Sequence, residues 1–158
     1  MNSQADGLTK DEALSKLQKY CAYQERCHQD VRTKLLSYKV YGDDLETVIS
    51  ELIQSDFLNE ERFAIAYCRG KFKIKKWGRN KIVQNLKQKK ISDYCIKKGL
   101  EEIDDIRYQS TLIDLMHKKT ASITAKNQYD KKGLVAKYLI NKGYESELVW
   151  GVLKEHQK

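Results

Sequence analysis

Proline is absent from all 158 residues, so nothing in the chain removes a helical N–H or forces a kink. Glycine is sparse, and Ala, Leu, Lys, Glu, Gln and Ile supply most of the length, which favours helix throughout. No apolar run approaches the roughly 20 residues that span a bilayer. Met1 to Leu8 is polar where a signal peptide has its apolar core, so a cytoplasmic protein with no membrane partner is expected. Cys21, Cys27, Cys68 and Cys95 form no C-x-x-C pair, which argues against a zinc knuckle or disulfide framework and for buried or idle thiols.

Catalytic constellations are missing as well. His28, His117 and His156 are isolated, no H-E-x-x-H spacing occurs, and no glycine-rich loop is present to cradle phosphate. Asp104-Asp105 sits at a helix end, where solvated carboxylates are common. Cys27 and His28, adjacent in sequence, point apart on a helix and make no nucleophile-base pair. The expectation is no enzyme, no metal and no cofactor.

What the chain does have is a spacing. Five apolar residues recur three times as apolar-x3-apolar-x4-apolar-x4-apolar-x3-apolar: Val31, Leu35, Val40, Leu45, Ile49; Ile82, Leu86, Ile91, Ile96, Leu100; and Val135, Leu139, Tyr144, Val149, Leu153. Leu35, Leu86 and Leu139 lie 51 and 53 residues apart, a period that suggests one supersecondary unit per copy, each burying its apolar face against neighbours. The pattern predicts an all-α fold of three tandem three-helix repeats forming an elongated, curved array. The expected boundaries are a disordered segment 1–8, then repeats at 9–55, 56–104 and 105–158.

Local signals place the helix ends. Thr9 with Glu12 reads as a capping box, and Asn59 and Ser92 read as N-caps. Asp43 is a candidate N-cap with Glu46 three residues on. A helix from Ile106 to His117 is followed by a longer connection from Lys118 to Asp130, where Ser, Thr, Asn and Gln dilute the apolar pattern. Gly143 can take the left-handed conformation that closes a helix before Tyr144. Lys39 and Lys90 hold its place in the other copies, so those joints are either built differently or looser. Trp150 is expected in core or inter-unit packing.

The charge is uneven. From Arg69 to Lys98 there are 12 Lys or Arg against one acid, Asp93, giving +11, whereas the remainder carries 18 bases and 21 acids, giving −3. A basic face of that density in the middle repeat is the footprint of a polyanionic partner, nucleic acid or an acidic protein surface; a merely solubilising lysine face is the alternative. The candidate residues are Lys71, Lys73, Lys75, Lys76, Trp77, Arg79, Lys81, Lys87, Lys89 and Lys90, in which bases alternate with Phe72 and Trp77 at a helix joint and can hold phosphates or stack on bases. For Trp77, packing with a wet indole edge and base stacking are both open.

The most distinctive stretch is Phe57-Leu58-Asn59-Glu60-Glu61-Arg62-Phe63-Ala64, followed by Tyr67 and by Trp77-Gly78-Arg79-Asn80-Lys81-Ile82. Taken alone it is a capped helix start with an aromatic i, i+4 pair. It also resembles the RecX family of RecA regulators, with its aromatic-Leu-Asp/Asn-acid-x-Arg-aromatic-Ala-x-x-aromatic signature and a Gly-x-x-basic-aliphatic step into the next helix. On that resemblance Phe57, Leu58, Asn59, Arg62, Phe63, Ala64, Tyr67, Gly78, Ile82, Leu86, Gly143 and Tyr144 are the signature structural residues. Cys27 stands where the family often has Ser, and Lys39 and Lys90 where Gly is common.

The resemblance implies a non-enzymatic, monomeric modulator that binds the RecA filament on single-stranded DNA and inhibits or disassembles it, in recombination, DNA repair and the SOS response. Direct binding of single- or double-stranded DNA, with Asn80, Gln84, Asn85 and Gln88 on a reading helix, is the alternative; a pure protein-interaction scaffold is a third.

Overall fold

A computed structural model of the chain describes residues 7–124 and 127–156. Among them the structure is all helical: α1 (Lys10–Tyr23), α2 (His28–Ser37), α3 (Gly42–Gln54), α4 (Glu60–Lys73), α5 (Arg79–Gln88), α6 (Asp93–Leu100), α7 (Asp105–Ser122), α8 (Gln128–Asn141) and α9 (Ser146–His156). They fall into three tandem units of three helices, α1–α3, α4–α6 and α7–α9. The repeated apolar positions build the cores: all fifteen are buried except Leu100, which is partly buried. All four thiols are buried and unpaired with one another, and among the described residues no helix is long and apolar enough to cross a membrane.

The three copies close their second helix in the same way. After α2, Lys39 N–H donates to the Leu36 carbonyl and Val40 N–H to that of Leu35; after α5, Lys90 and Ile91 donate to Lys87 and Leu86; after α8, Gly143 and Tyr144 donate to Ile140 and Leu139. This double bond pattern satisfies the last carbonyls of a helix and needs a left-handed residue at its centre. Lys39 (φ 60°) and Lys90 (φ 65°) adopt that conformation as Gly143 does (φ 109°), so the joints are built alike. A side chain held there costs about 1 kcal/mol. Burying Val40, Ile91 and Tyr144, the apolar residue that follows in each case, offsets it.

Several end signals hold and others do not. Thr9 and Glu12 form the reciprocal capping box of α1, and Asn59 and Ser92 cap α4 and α6. Asp43 is not an N-cap: α3 starts at Gly42 with Tyr41 preceding it, so Asp43 lies inside the positive first turn, and Glu46 reaches Arg32 instead. Helix α7 runs on to Ser122, so the connection to α8 is shorter than its polar composition suggests. Residues 1–6 lie outside the described residues. Gly7 and Leu8 do not follow the expected disorder of 1–8, since Leu8 N–H donates to the Tyr38 carbonyl at 3.0 Å and its side chain packs on the first core.

The buried side chains form two clusters. One belongs to the first unit, from Ala13 to Leu52, closed by Leu58. The other runs without a break through the second and third units and takes in Cys27 from the first.

Candidate functional site

The basic face lies on the end of α4, the turn after it, and α5. Helix α4 ends at Lys73, and the chain turns through Ile74, Lys75, Lys76 and Trp77 to reach Gly78 at the head of α5. This turn is tightly bonded: Ile74 N–H donates to the Gly70 carbonyl, Lys76 N–H to Phe72 and Trp77 N–H to Lys71, at 2.8 to 3.1 Å. Phe72 and Trp77 are half-buried against the core beneath it, which anchors the tip from below. Lys76 sits at φ 59°, a left-handed lysine at the apex.

Among the candidate lysines, Lys73, Lys75, Lys76, Lys87 and Lys90 are exposed and have no ion-pair partner among the described residues. Lys71 and Lys81 are partly buried, with their ammonium groups 4.9 and 4.6 Å from the Trp77 ring, and Lys71 also lies 5.4 Å from the Tyr67 ring. Trp77 is thus engaged by two cations and packed below, which favours the packing reading over a bare stacking platform. Lys89 is turned the other way: its Nζ lies 3.9 Å from Asp30 of the first unit.

Arg79, unlike the exposed lysines, is engaged within the protein. Its guanidinium pairs with Glu145 at 3.0 Å and Asp105 at 2.6 Å and lies 3.8 Å over the Tyr108 ring, leaving it only 23% exposed. Planar stacking and two carboxylates saturate it, so it ties the second unit to the third. The N-terminus of α5 is equally spent: Gly78 N–H donates to the Lys142 carbonyl, Asn80 N–H to Gly143, and Arg79 N–H to the Tyr108 hydroxyl, each at 2.9 Å. A helix N-terminus otherwise offers an anion site, and here the third unit occupies it.

The pairing of Tyr108, Glu145 and Asp105 with Arg79 is not visible in the sequence, because these residues lie 26 to 66 positions from it. Tyr108 donates to Glu145, and Tyr144 donates to the Lys76 carbonyl at 2.8 Å. Burial, and for Tyr108 the bond to Glu145, push both phenols well above their ordinary range. Between them, Gly78 meets Gly143 backbone to backbone: a Cβ on Gly78 would lie 2.2 Å from the Gly143 carbonyl carbon. Both glycines are required by this approach.

A family model described as RecX, second three-helix domain, matches residues 59–100, the span of α4 to α6. Regulatory protein RecX of Clostridium tetani is 33% identical over 133 residues, covering 82% of this chain and 60% of that protein. The chain belongs to the RecX family. Regulatory protein RecX of Bacillus mycoides is 25% identical over 136 residues, 86% of this chain and 50% of its own length, so the chain spans about half of that relative. The crystal structure of RecX from Lactobacillus salivarius has the same fold, with a TM-score of 0.81 over 92% of this chain and 95% of that one at 23% identity.

The residues of the signature stretch lie at a helix start and in the two cores. Phe57 and Leu58 close the first core, Asn59 caps α4, and Phe63 and Ala64 are buried in the second core, with Tyr67 half-buried beside them. Arg62 reaches back to Glu25 at 2.6 Å, to Asp56 at 3.1 Å and to the Asp56 and Phe57 carbonyls, binding the second unit to the first. Ile82 and Leu86 are fully buried. Trp150, expected in core or inter-unit packing, is 47% exposed and faces an apolar hollow with Tyr129 and Leu134 of its own unit, because α9 turns its Val149, Val152 and Leu153 stripe inward and leaves the next position outside.

Proposed function

We propose that the chain is a non-enzymatic regulator of RecA that binds the RecA filament on single-stranded DNA and inhibits or disassembles it, acting as a cytosolic monomer in recombination and DNA repair. The observation that carries this reading is the coincidence of the matched RecX domain with the unit that concentrates the excess positive charge, where Lys73, Lys75, Lys76 and Lys87 stand exposed with no ion-pair partner among the described residues. Lys73, Lys75, Lys76 and Lys87 are the contact set; Lys71 and Lys81 support them through Trp77, and Lys90 extends the face. A filament carrying DNA phosphates and acidic protein surface supplies the complementary charge.

A base-reading helix-turn-helix is less well supported. The head of α5 is covered by the third unit, and Asn85 Nδ2 donates to the Lys81 carbonyl rather than facing outward. The test is a titration of the chain into RecA with single-stranded DNA, following ATP hydrolysis and filament length, beside binding to naked DNA. Inhibition that is lost when Lys73, Lys75, Lys76 and Lys87 are reversed to Glu supports the reading. No effect on RecA at any ratio contradicts it.

A further inference from the structure

The tip of the basic face carries one residue that charge does not explain. Ile74, the first residue past α4, is 76% exposed, and its chain neighbours Lys73, Lys75 and Lys76 are all exposed lysines. A lone exposed aliphatic side chain is ordinary on a protein surface. This one stands on a turn held by three backbone hydrogen bonds, by the Tyr144 hydroxyl on the Lys76 carbonyl, and by Phe72 and Trp77 packed underneath. It is an apolar point on a well-bonded turn, flanked by three lysines with no ion-pair partner among the described residues, of which Lys76 donates its Nζ to the Lys73 carbonyl at 3.1 Å.

We propose that Ile74 is a wedge that enters between adjacent bases of a DNA strand whose phosphates rest on Lys73, Lys75 and Lys76. Lysines fix a sugar-phosphate backbone without reading it, and what a strand then offers between its phosphates is the edge of the base stack. Aliphatic wedges on basic surfaces open such stacks at the cost of some stacking energy. A tip already rigid loses little freedom on insertion, so that cost is met without a folding penalty. The left-handed Lys76 closes the end of α4, its N–H and that of Trp77 bonding back to the Phe72 and Lys71 carbonyls, and it keeps a charge beside the wedge. The wedge rests on the basic face being the contact surface, and not on RecA being the target.

The test uses the full chain and oligonucleotides carrying 2-aminopurine, whose emission rises when its neighbours unstack, in a single-stranded and a duplex arm. Saturating parent chain should raise emission about twofold or more in at least one arm, and Ile74→Ala should bind within about threefold of the parent yet abolish most of the rise. Reversing Lys73, Lys75 and Lys76 to Glu should weaken binding about tenfold or more, with a flatter salt dependence. An equal rise with Ile74→Ala, a flat signal at saturation, or no DNA binding by the parent overturns the wedge. So does an Ile74→Ala chain that loses its effect on RecA while keeping the full rise, since Ile74 then seats in protein. A parent that raises emission but leaves RecA untouched sustains the wedge and sinks the proposed function.

Discussion

The two junctions between units are built from opposite materials. Between the second and third units the core is continuous, two glycines touch backbone to backbone, and Arg79, Tyr108 and Glu145 form a shielded polar cluster. Between the first and second units the ties are Arg62 to Glu25 and Asp56, Lys89 to Asp30, and Cys27 reaching into the second core. A cleft of about 410 Å³ lined by Tyr20, Arg26, Tyr67, Lys71 and Lys89 runs along this second junction. Dry packing forbids relative movement, whereas partly solvated ion pairs can break and re-form at little cost. The lysine tip is bolted to the rigid pair, and the first unit rides on a softer joint.

Gly78→Ala should do the most damage, because its Cβ would meet backbone and no rotamer can relieve that. A loss of about 3 kcal/mol or more in chemical denaturation is expected, with the second and third units loosening together.

Alkali should narrow the contrast next. Burial raises the Cys68 thiol to about 12 and pushes the Tyr108 and Tyr144 phenols up, while in the first unit Cys21 rises to about 11. The folded state holds these protons more tightly than the unfolded one. Their contribution is therefore full below the ordinary thiol and phenol values, about 8.5 and 10, and is lost as pH climbs through the raised ones. Denaturation midpoints measured from pH 8 to 11 should fall, and Tyr108→Phe should flatten that fall.

Arg62→Ala should cost about 1 kcal/mol, since several hydrogen bonds go but the group is partly solvated. Glu25, whose Oε1 is buried without a partner, is left with even less, and the first unit should open more readily while the rest is unchanged. The smallest effect is stabilising: Lys39→Gly or Lys90→Gly should each gain up to about 1 kcal/mol by relieving a left-handed side chain. Near-equal gains would agree with the joints being equivalent; a gain at one site only would break that equivalence.

The joints were legible because Leu35 with Val40, Leu86 with Ile91 and Leu139 with Tyr144 are local pairs whose spacing fixes the bond pattern. The sequence left open how lysine could stand where glycine stands in the third copy, and the answer is that burial of the next residue outweighs a small strain. The fate of Arg79 was not legible, because nothing within a helical turn announces Asp105 or Glu145 as its partners. Trp150 was misplaced for a related reason: one step of helical phase separates the buried Val149 from an exposed neighbour. The repeat thus specifies each unit, and long-range polar and glycine contacts specify how units join.

Amide hydrogen exchange on the full chain tests that difference most directly. A first unit with its own separate core is marginal at this size, so its α1–α3 amides should open at lower free energy than those of α4–α9, which should exchange as one cooperative block. Exchange of all nine described helices at a single common free energy, or a third unit that opens apart from the second, would contradict it.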